Sequence, residues 1–389
     1  MGKRAFLVAV LCAGAVAALP AAAQTKPFKI GLIVPMTGPF TSVGKQIDAG
    51  VRLYIAQHGD TVAGRKIEVI LKDDGAVPAN SRRIAQELVV ADKVDALAGF
   101  AITPSALAVA PIATQSKTPL IVMSAAASAI TEASPYVVRS SFTVGQVSVP
   151  LADYVTKNGM KKVVTLVTDY APGVDAEQSF AARFKADGGQ VLDTLRVPLR
   201  SPDYAPFMQK VRDLHPDGLF IFVPAPEAPA VVKQFRERGL DRAGVQLIGT
   251  GDVVDDDSLE RIGDEALGIL TAHHYSAAHA SPLNQAFVQA YEKANNGQRP
   301  NFMAVGGYDG MNVLYAALAK TGGTAGGEAL VAAMKGLTID SPRGPWTVDA
   351  NNRDIVQNVY IRRVDKVRGQ LFNVEISTIP AVADPGKSK

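Results

Sequence analysis

The sequence has 389 residues, of which 47% are hydrophobic and 20% charged, and this is enough apolar material for two ordinary domains. Its 40 basic and 37 acidic residues nearly balance, and no basic run interleaved with aromatic residues indicates a nucleic-acid surface. We therefore expect no nucleic-acid partner. The one cysteine, Cys12, lies near the amino terminus, so the rest of the chain has no disulfide and no cysteine-ligated metal.

Residues 1–23 have the pattern of a cleavable signal peptide. Lys3 and Arg4 precede an uncharged apolar run, and small residues then lead to a cleavage position before Gln24. The run is short for a membrane span, and no later segment offers about 18 uninterrupted apolar residues. The sequence therefore predicts an exported protein that is soluble after cleavage.

The segment 28–40 is the first strand–turn–helix unit after the signal. A short apolar strand from Ile30 to Val34 runs into a turn rich in proline and glycine, and a helical pattern follows at Val43–His58. In a parallel sheet, this arrangement presents a loop at the carboxyl end of the strand, where ligands bind. We therefore expect a binding loop around Phe40.

Strand-like and helix-like runs alternate along most of the chain. The first series has predicted strands at 65–73, 96–99, 120–123 and 136–140 and helices at 80–93 and 105–115. The second series has strands at 161–169, 191–197, 219–223 and 246–249 and helices at 175–186 and 229–238. Such alternation specifies parallel sheets that are covered on both faces. Two series predict an α/β fold with two Rossmann-like lobes.

Three segments have the character of crossings between the lobes, at 139–144, 270–276 and 341–352. After the third crossing, Asp354–Val364 and Gln370–Ile376 alternate like an antiparallel pair. This pattern predicts an N-terminal lobe of 27–141 plus 275–343, a C-terminal lobe of 142–274 plus 344–379, and a frayed tail at 380–389. Three crossings favour a hinge over a flexible tether.

Four short motifs, taken in their order, resemble the leucine/isoleucine/valine-binding family of periplasmic receptors. They are Gly-Leu-Ile-Val-Pro-Met-Thr-Gly-Pro-Phe at 31–40, Lys-Asp-Asp at 72–74, Ala-Gly-Phe at 98–100 and Met-Ser-Ala-Ala-Ala at 123–127. The likeness extends over about residues 28–376. It implies a type I periplasmic binding protein, in which two lobes joined by three hinge strands close on a solute. It further implies an inner-membrane ABC permease as partner, a periplasmic location, no cofactor and no catalysis.

The resemblance also assigns roles to residues. Thr103 matches the hydroxyl residue that holds the solute carboxylate, and Ala125 matches a backbone carbonyl that receives an α-ammonium group, with Ala126 on the same loop. At Ala127 the family usually has a threonine, so one hydroxyl is missing here. An acid near Asp252 pairs with the ammonium in the family, although the loop is one residue longer in this chain.

Two further positions of the family pattern concern aromatic residues that contact the solute. Phe302 matches an aromatic wall position of the family. Where the family often has a tyrosine directly before a glycine, this chain has Pro172 before Gly173. These departures from the family pattern affect the ammonium end more than the carboxylate end. They favour an apolar or aromatic acid, and a branched-chain amino acid stays open as the solute.

Physical reasoning from the residues supports some of these ligand-binding roles, and for each it also gives a purely structural alternative. Thr103 begins a predicted helix, whose first N–H groups lack internal partners and attract a carboxylate without lysine or arginine; the plain alternative is a helix cap. Phe40 and Tyr170 each follow the first strand of a lobe, so either side chain could form a wall of the cleft. The plain alternatives are that Phe40 belongs to the core and that Tyr170 is a surface residue. Asp252 suits a cationic partner, or else caps the next helix within an acidic run.

Neither a metal site nor an enzyme is indicated. His273 and His274 are adjacent, so on a strand their side chains should point to opposite faces and cannot share an ion. A nucleophile elbow of the Gly-x-Ser-x-Gly type does not occur in the sequence, and the five histidines follow no catalytic pattern. The leading interpretation is a monomeric receptor for a small carboxylate. An exported α/β hydrolase and a ligand-sensing module for a signalling partner are the alternatives.

Overall fold

The computed structural model describes residues 26–199, 203–324 and 326–387, so the predicted signal peptide lies outside the described residues. Two β-sheets, each covered by helices on both faces, form two lobes that meet along a cleft. Within the described ranges, no helix has the length and apolar character needed to cross a membrane. The prediction of two α/β lobes is confirmed.

The elements of the first half of the chain are β1 (Phe28–Val34), α1 (Thr41–His58), β2 (Thr61–Val62), β3 (Arg65–Asp73), α2 (Pro78–Val90), β4 (Ala96–Gly99), α3 (Thr103–Ser116), β5 (Leu120–Val122), β6 (Val137–Arg139), α4 (Val144–Lys157), β7 (Lys162–Thr168), α5 (Ala171–Ala186) and β8 (Gln190–Val197). Those of the second half are α6 (Ala205–Leu214), β9 (Gly218–Phe222), α7 (Ala228–Glu237), β10 (Gln246–Thr250), α8 (Leu259–Ile262), β11 (Leu270–His273), α9 (Pro282–Ala294), α10 (Phe302–Lys320), α11 (Gly327–Met334), β12 (Thr338–Ile339), β13 (Trp346–Val348), β14 (Ile355–Val367) and β15 (Gln370–Val382). Short 3-10 helices lie at Ser128–Glu132, Gly251–Val254, Gly263–Ala266 and Pro385–Lys387.

The sheet of the first lobe has six strands in the order β2-β3-β1-β4-β5-β6, and all its pairings are parallel except that of β2 with β3. Strand β1 is central, since Ile30 pairs with Val69 on one side and with Ala96 on the other. Helices cover both faces of a parallel sheet, which explains why nearly all of β1 is apolar and buried. Because β1 is buried, the loop that follows its carboxyl end starts from a fixed position.

The sheet of the second lobe has nine strands. Strands β7 to β11 pair in parallel, and β14 joins the edge of β11 in the antiparallel sense. The antiparallel pair predicted near the carboxyl terminus is observed as β14 and β15, each 13 residues long. Strand β12 already belongs to this sheet through its pairing with β13. The chain therefore enters the sheet of the second lobe before residue 341, earlier than the predicted third crossing at 341–352.

Three links join the lobes, which is the predicted number: between β6 and α4, between β11 and α9, and between α11 and β12. The third lies before the predicted segment 341–352. Polar contacts also bridge the lobes directly. The backbone N–H of Ser128 donates to Asp175 Oδ2 over 3.1 Å, and Asn301 Nδ2 donates to Asp255 Oδ2 over 2.7 Å. The two lobes are therefore in direct contact at two places. The division of the chain at 141, 274 and 343 stays a prediction.

The carboxyl-terminal segment differs from the frayed tail predicted at 380–389. Strand β15 continues to Val382, and Pro385–Lys387 form a helical turn. Asp384 is buried, and its Oδ1 accepts a hydrogen bond from the hydroxyl of Ser128 at 2.9 Å. The segment is held because it packs back against the first lobe, a long-range contact that leaves no periodic trace in the sequence.

Helices α1 and α10 cross closely through glycine. A Cβ atom added at Gly50 would lie 2.0 Å from the carbonyl oxygen of Ala304, and one added at Gly307 would lie 2.4 Å from that of Ile47. These glycines let the two backbones approach, and the approach sets the position of the loop before α1 and of the first turn of α10. Both segments border the cleft.

Substituting Gly50 with alanine should therefore lower the free energy of unfolding by about 1–3 kcal/mol, as overpacking does in well-filled cores. The loss is expected even though alanine is the better helix former. Urea unfolding measures the effect. Lys45→Ala, at an exposed position of the same helix, is the control and should change little. A Gly50→Ala variant as stable as the wild type would show that α1 can move away without cost.

Candidate functional site

A cavity lies between the lobes, and the loops at the carboxyl ends of parallel strands form most of its lining. Its empty space, counted out to its mouth, is about 450 Å³. Strands β1, β4, β5, β7, β9 and β10 each lead into a lining loop, which is where open parallel sheets bind ligands. The lining residues are Phe40, Val43, Ala101, Ile102, Thr103, Ser124, Ala125, Ala126, Phe142, Tyr170, Pro172, Phe222, Pro224, Ala225, Pro226, Asp252 and Met303.

The structure brings six of the eight predicted site residues into this lining: Phe40, Thr103, Ala125, Ala126, Tyr170 and Asp252. Ala127 and Phe302, which were also predicted as ligand contacts, are not among the lining residues. The backbone N–H of Ala127 donates to Thr103 Oγ1 over 3.3 Å, so this residue supports the lining from behind. Phe302 packs edge-on against Phe142, with 5.7 Å between the ring centroids, and the neighbouring Met303 takes the lining position instead.

The end of the cavity in the first lobe is the amino terminus of α3. Thr103 is buried, and among the described residues the backbone N–H groups of Thr103 and Ala126 have no acceptor. Pro104, in the first turn of the helix, has no N–H to satisfy. Among the described residues that line the cavity, none is a lysine or an arginine. The helix terminus and the free N–H groups therefore make this end suitable for an anion, because they carry partial positive charge.

The loop that carries Ala125 and Ala126 is held in place from inside the protein by Arg139. The guanidinium donates to the carbonyl oxygen of Ala125, to that of Ala127 over 2.7 Å and to that of Phe142 over 3.2 Å. Its Nε lies 2.6 Å from Asp354 Oδ1, and both side chains are fully buried. The Ala125 carbonyl, which the resemblance assigns to an ammonium group, thus already accepts one hydrogen bond from the protein.

The end of the cavity in the second lobe carries Asp252 and Tyr170. Thr250 Oγ1 donates to Asp252 Oδ2 over 2.9 Å. Burial raises the pKa of the Asp252 carboxyl to about 6, although the bond from Thr250 and the charge of Arg362 oppose this change. Burial, and then the nearby Asp252, also raises the pKa of the Tyr170 hydroxyl, which therefore stays protonated. This end offers one acceptor and one donor.

Aromatic and proline side chains form the walls between these two ends. Tyr170 and Phe222 lie with their ring centroids 6.1 Å apart, and Pro224 and Pro226 follow directly after β9. Phe142 comes from the first link between the lobes. Sequence reasoning did not select Phe142 or Phe222 as site residues. The signal available for Phe222 is its place at the carboxyl end of a predicted strand, before a turn rich in proline.

His273 and His274 lie behind the cavity, and their positions correct a prediction. Their ring centroids are only 4.4 Å apart, because β11 ends at His273 and the alternation of a strand no longer applies to His274. Burial lowers the pKa of both imidazoles well below the usual range, so they are neutral and pack on Phe142. Among the described residues, no group of three or more His, Cys, Asp or Glu could hold a metal ion.

Comparison with known proteins identifies the class that this fold and cavity define. Residues 27–369 match the periplasmic binding protein family. A Leu/Ile/Val-binding protein homolog 6 from Brucella suis biovar 1 (strain 1330) is 44% identical over 94% of this chain and 95% of its own length. The chain therefore belongs to the periplasmic binding protein family, whose members are solute-binding receptors and not enzymes.

Two solved structures are similar over almost the whole chain. A solute-binding protein of an ABC transporter from Rhodopseudomonas palustris BisB5, in complex with 3,4-dihydroxybenzoic acid, is 59% identical, with a TM-score of 0.91, covering 93% of this chain and 99% of that one. Another from Rhodopseudomonas palustris HaA2, in complex with p-hydroxybenzoic acid, is 41% identical, with a TM-score of 0.90, covering 94% and 100%. A leucine-binding protein from Thermotoga maritima, 24% identical with a TM-score of 0.80 over 90% and 98%, shares the fold.

Proposed function

We propose that this receptor binds a small aromatic carboxylate of the hydroxybenzoate class and delivers it to an inner-membrane ABC permease. The observation that carries the proposal is the composition of the cavity. Its walls are aromatic rings and prolines, and one end is a helix amino terminus whose first N–H groups have no acceptor within the described ranges. No cationic side chain of the described residues lines it. A flat ring suits such walls because stacking favours aromatic neighbours.

The carboxylate of the solute would bind at Thr103 and the backbone N–H of Ala126. The Thr103 hydroxyl already accepts from the N–H of Ala127, so its own proton remains available for donation to a carboxylate oxygen. Hydrogen bonds to a charged oxygen in a closed, apolar cavity are the stronger kind. Phe40, Tyr170 and Phe222 would then flank the ring.

The relatives support the aromatic class over a branched-chain amino acid. The 59% and 41% identical receptors were solved with dihydroxybenzoic and hydroxybenzoic acid. The Brucella relative is named a Leu/Ile/Val-binding protein homolog, and Asp252 lines the cavity where an ammonium group would find a carboxylate. A branched-chain amino acid is therefore the second candidate, and a transport role is preferred to a sensing module on the same grounds of similarity.

Binding would proceed by closure of the lobes. A solute that touches Thr103 on one lobe and Tyr170 or Asp252 on the other makes its full set of contacts only when the lobes meet, so it shifts the population toward the closed form. We further propose that residues 1–23 are removed on export to the periplasm, that the receptor acts as a monomer, and that nucleic acid is not a partner.

Calorimetry on the chain from Gln24 onward tests the proposal. We expect benzoate and 4-hydroxybenzoate to bind with saturable heats at micromolar concentrations, and leucine at the same concentrations to give no heat. The melting temperature should rise with the aromatic acids, because a ligand that binds only the folded state stabilises it. Leucine binding without aromatic-acid binding would replace the proposal with the amino-acid alternative. No response to either class would overturn the carboxylate receptor itself.

A further inference from the structure

Asp252 is a carboxylate that faces the cavity without a cationic partner. Its exposed fraction is 6% and it lines the cavity. The Thr250 hydroxyl occupies Oδ2, and in the described part of the chain no other side chain donates a hydrogen bond to this carboxylate. Arg362 acts on it through its charge, because its two terminal guanidinium nitrogens donate instead to the carbonyl oxygen of Tyr275 and to Thr271 Oγ1.

A buried carboxylate without its full set of donors costs free energy unless something in the cavity supplies one. Besides the Thr250 hydroxyl, the backbone N–H of Asp252 itself acts on this carboxylate. In the described part of the chain, Tyr170 is the one other hydrogen-bonding side chain at this end of the lining, and its hydroxyl makes no bond there. A bound solute can supply a further donor to this carboxylate from within the cavity. A neutral hydroxyl is a better match than a second carboxylate, which the charge of Asp252 would repel.

The position of Asp252 restricts where on the solute that hydroxyl can lie. Thr103 belongs to the first lobe and Asp252 to the loop after β10 in the second lobe, so they approach the cavity from opposite sides. A hydroxyl next to the carboxylate on the ring would remain at the Thr103 end. A hydroxyl on the 3 or 4 position projects away from the carboxylate and toward the second lobe.

We propose that Asp252 accepts a hydrogen bond from a ring hydroxyl at the 3 or 4 position of the solute, and so selects hydroxylated benzoates over benzoate itself. This inference rests on the proposed function, because it assumes that the carboxylate binds at Thr103. Asp252 is then a specificity residue that reads a substituent. The Tyr170 hydroxyl, which stays protonated, can donate to the same ring oxygen, so that the solute hydroxyl both donates and accepts.

The test is a matrix of solutes and variants measured by calorimetry at pH 7.5. Benzoate and the 2-, 3- and 4-hydroxybenzoates are titrated into the wild type, Asp252→Asn, Asp252→Ala and the control Asp257→Asn. Asp257 belongs to the same acidic run but bonds to Gln298 and does not line the cavity. In the wild type and the control, the better of the 3- and 4-hydroxy isomers should bind about tenfold more tightly than benzoate, and the 2-hydroxy isomer should gain nothing.

In Asp252→Ala that preference should fall to about one, whereas the affinity for benzoate should change by less than about threefold. Asp252→Asn keeps a neutral acceptor and should give an intermediate preference. An unchanged preference in Asp252→Ala would overturn this inference and leave the aromatic-acid proposal intact, as would an Asp252→Ala variant that loses benzoate and hydroxybenzoates equally. Failure of every benzoate to bind the wild type would instead remove the proposed function on which the inference rests.

Discussion

Replacing Arg139 with methionine is expected to lower the free energy of unfolding by about 3–5 kcal/mol, the usual cost of removing one member of a buried ion pair. Methionine keeps the length of the side chain but leaves Asp354 fully buried with the Thr131 hydroxyl, at 3.1 Å, as its main side-chain donor. Urea unfolding followed through Trp346, the single tryptophan of the sequence, measures the loss.

The pH dependence of that loss distinguishes an unpaired charge from simple loss of packing. Burial already raises the pKa of Asp354, and Arg139 opposes this change; without Arg139 the pKa should rise further above its unfolded value. The folded variant then takes up a proton more readily than the unfolded chain, so its deficit should shrink as the pH is lowered from 8 to 5. Equal deficits at both pH values would contradict this explanation.

Two further variants serve as controls for Arg139. Lys117→Met removes an ion pair with Glu328 in which both side chains are largely exposed, so it should leave unfolding almost unchanged. The double variant Arg139→Met with Asp354→Leu removes both buried charges and should recover part of the lost stability. No recovery would indicate that the backbone carbonyls of Ala125 and Ala127, and not Asp354, depend most on the guanidinium.

The fold was predictable because its units are local. Strand β1, its turn of proline and glycine, and helix α1 follow one another within 31 residues, from Phe28 to His58, and each has its own signal in the sequence. The contacts that hold the lobes together are not local. Arg139 and Asp354 are 215 positions apart, and a single sequence contains no pattern that pairs them, nor one that docks Asp384 on Ser128.

The contrast between local sequence signals and long-range packing also bears on which cavity residues were predicted. Thr103, Tyr170 and Asp252 follow strand ends, where open parallel sheets bind ligands. The family resemblance selected Thr103 and Asp252 among the residues at those strand ends. Phe302 was assigned from the family resemblance, and it lies beside the described lining. Periodicity could not have corrected this assignment, because α10 is buried almost all round from Phe302 to Leu318 and a helix without a polar face does not indicate which side lines a cavity. His274 was misplaced because the alternation rule holds only while a strand continues.

Substituting Thr103 with valine should weaken the binding of an aromatic carboxylate by about 1.5–3 kcal/mol, the range for a hydrogen bond to a charged group. Valine has almost the same shape, so the walls of the cavity and the start of α3 should be retained. The variant loses the donor to the solute, and it also removes the hydroxyl oxygen that accepts from the N–H of Ala127. Calorimetry with 4-hydroxybenzoate measures the effect on affinity, and thermal unfolding without solute measures the effect on stability.

Thr103→Ser is the matched control, because it keeps the hydroxyl and removes only a methyl group; it should bind within about threefold of the wild type. The helix amino terminus and the N–H of Ala126 remain in both variants, so binding should weaken in Thr103→Val without being abolished. If Thr103→Val and the wild type bound equally, the carboxylate would have to lie elsewhere in the cavity. If serine and valine weakened binding alike, the methyl group and not the hydroxyl would be the important contact.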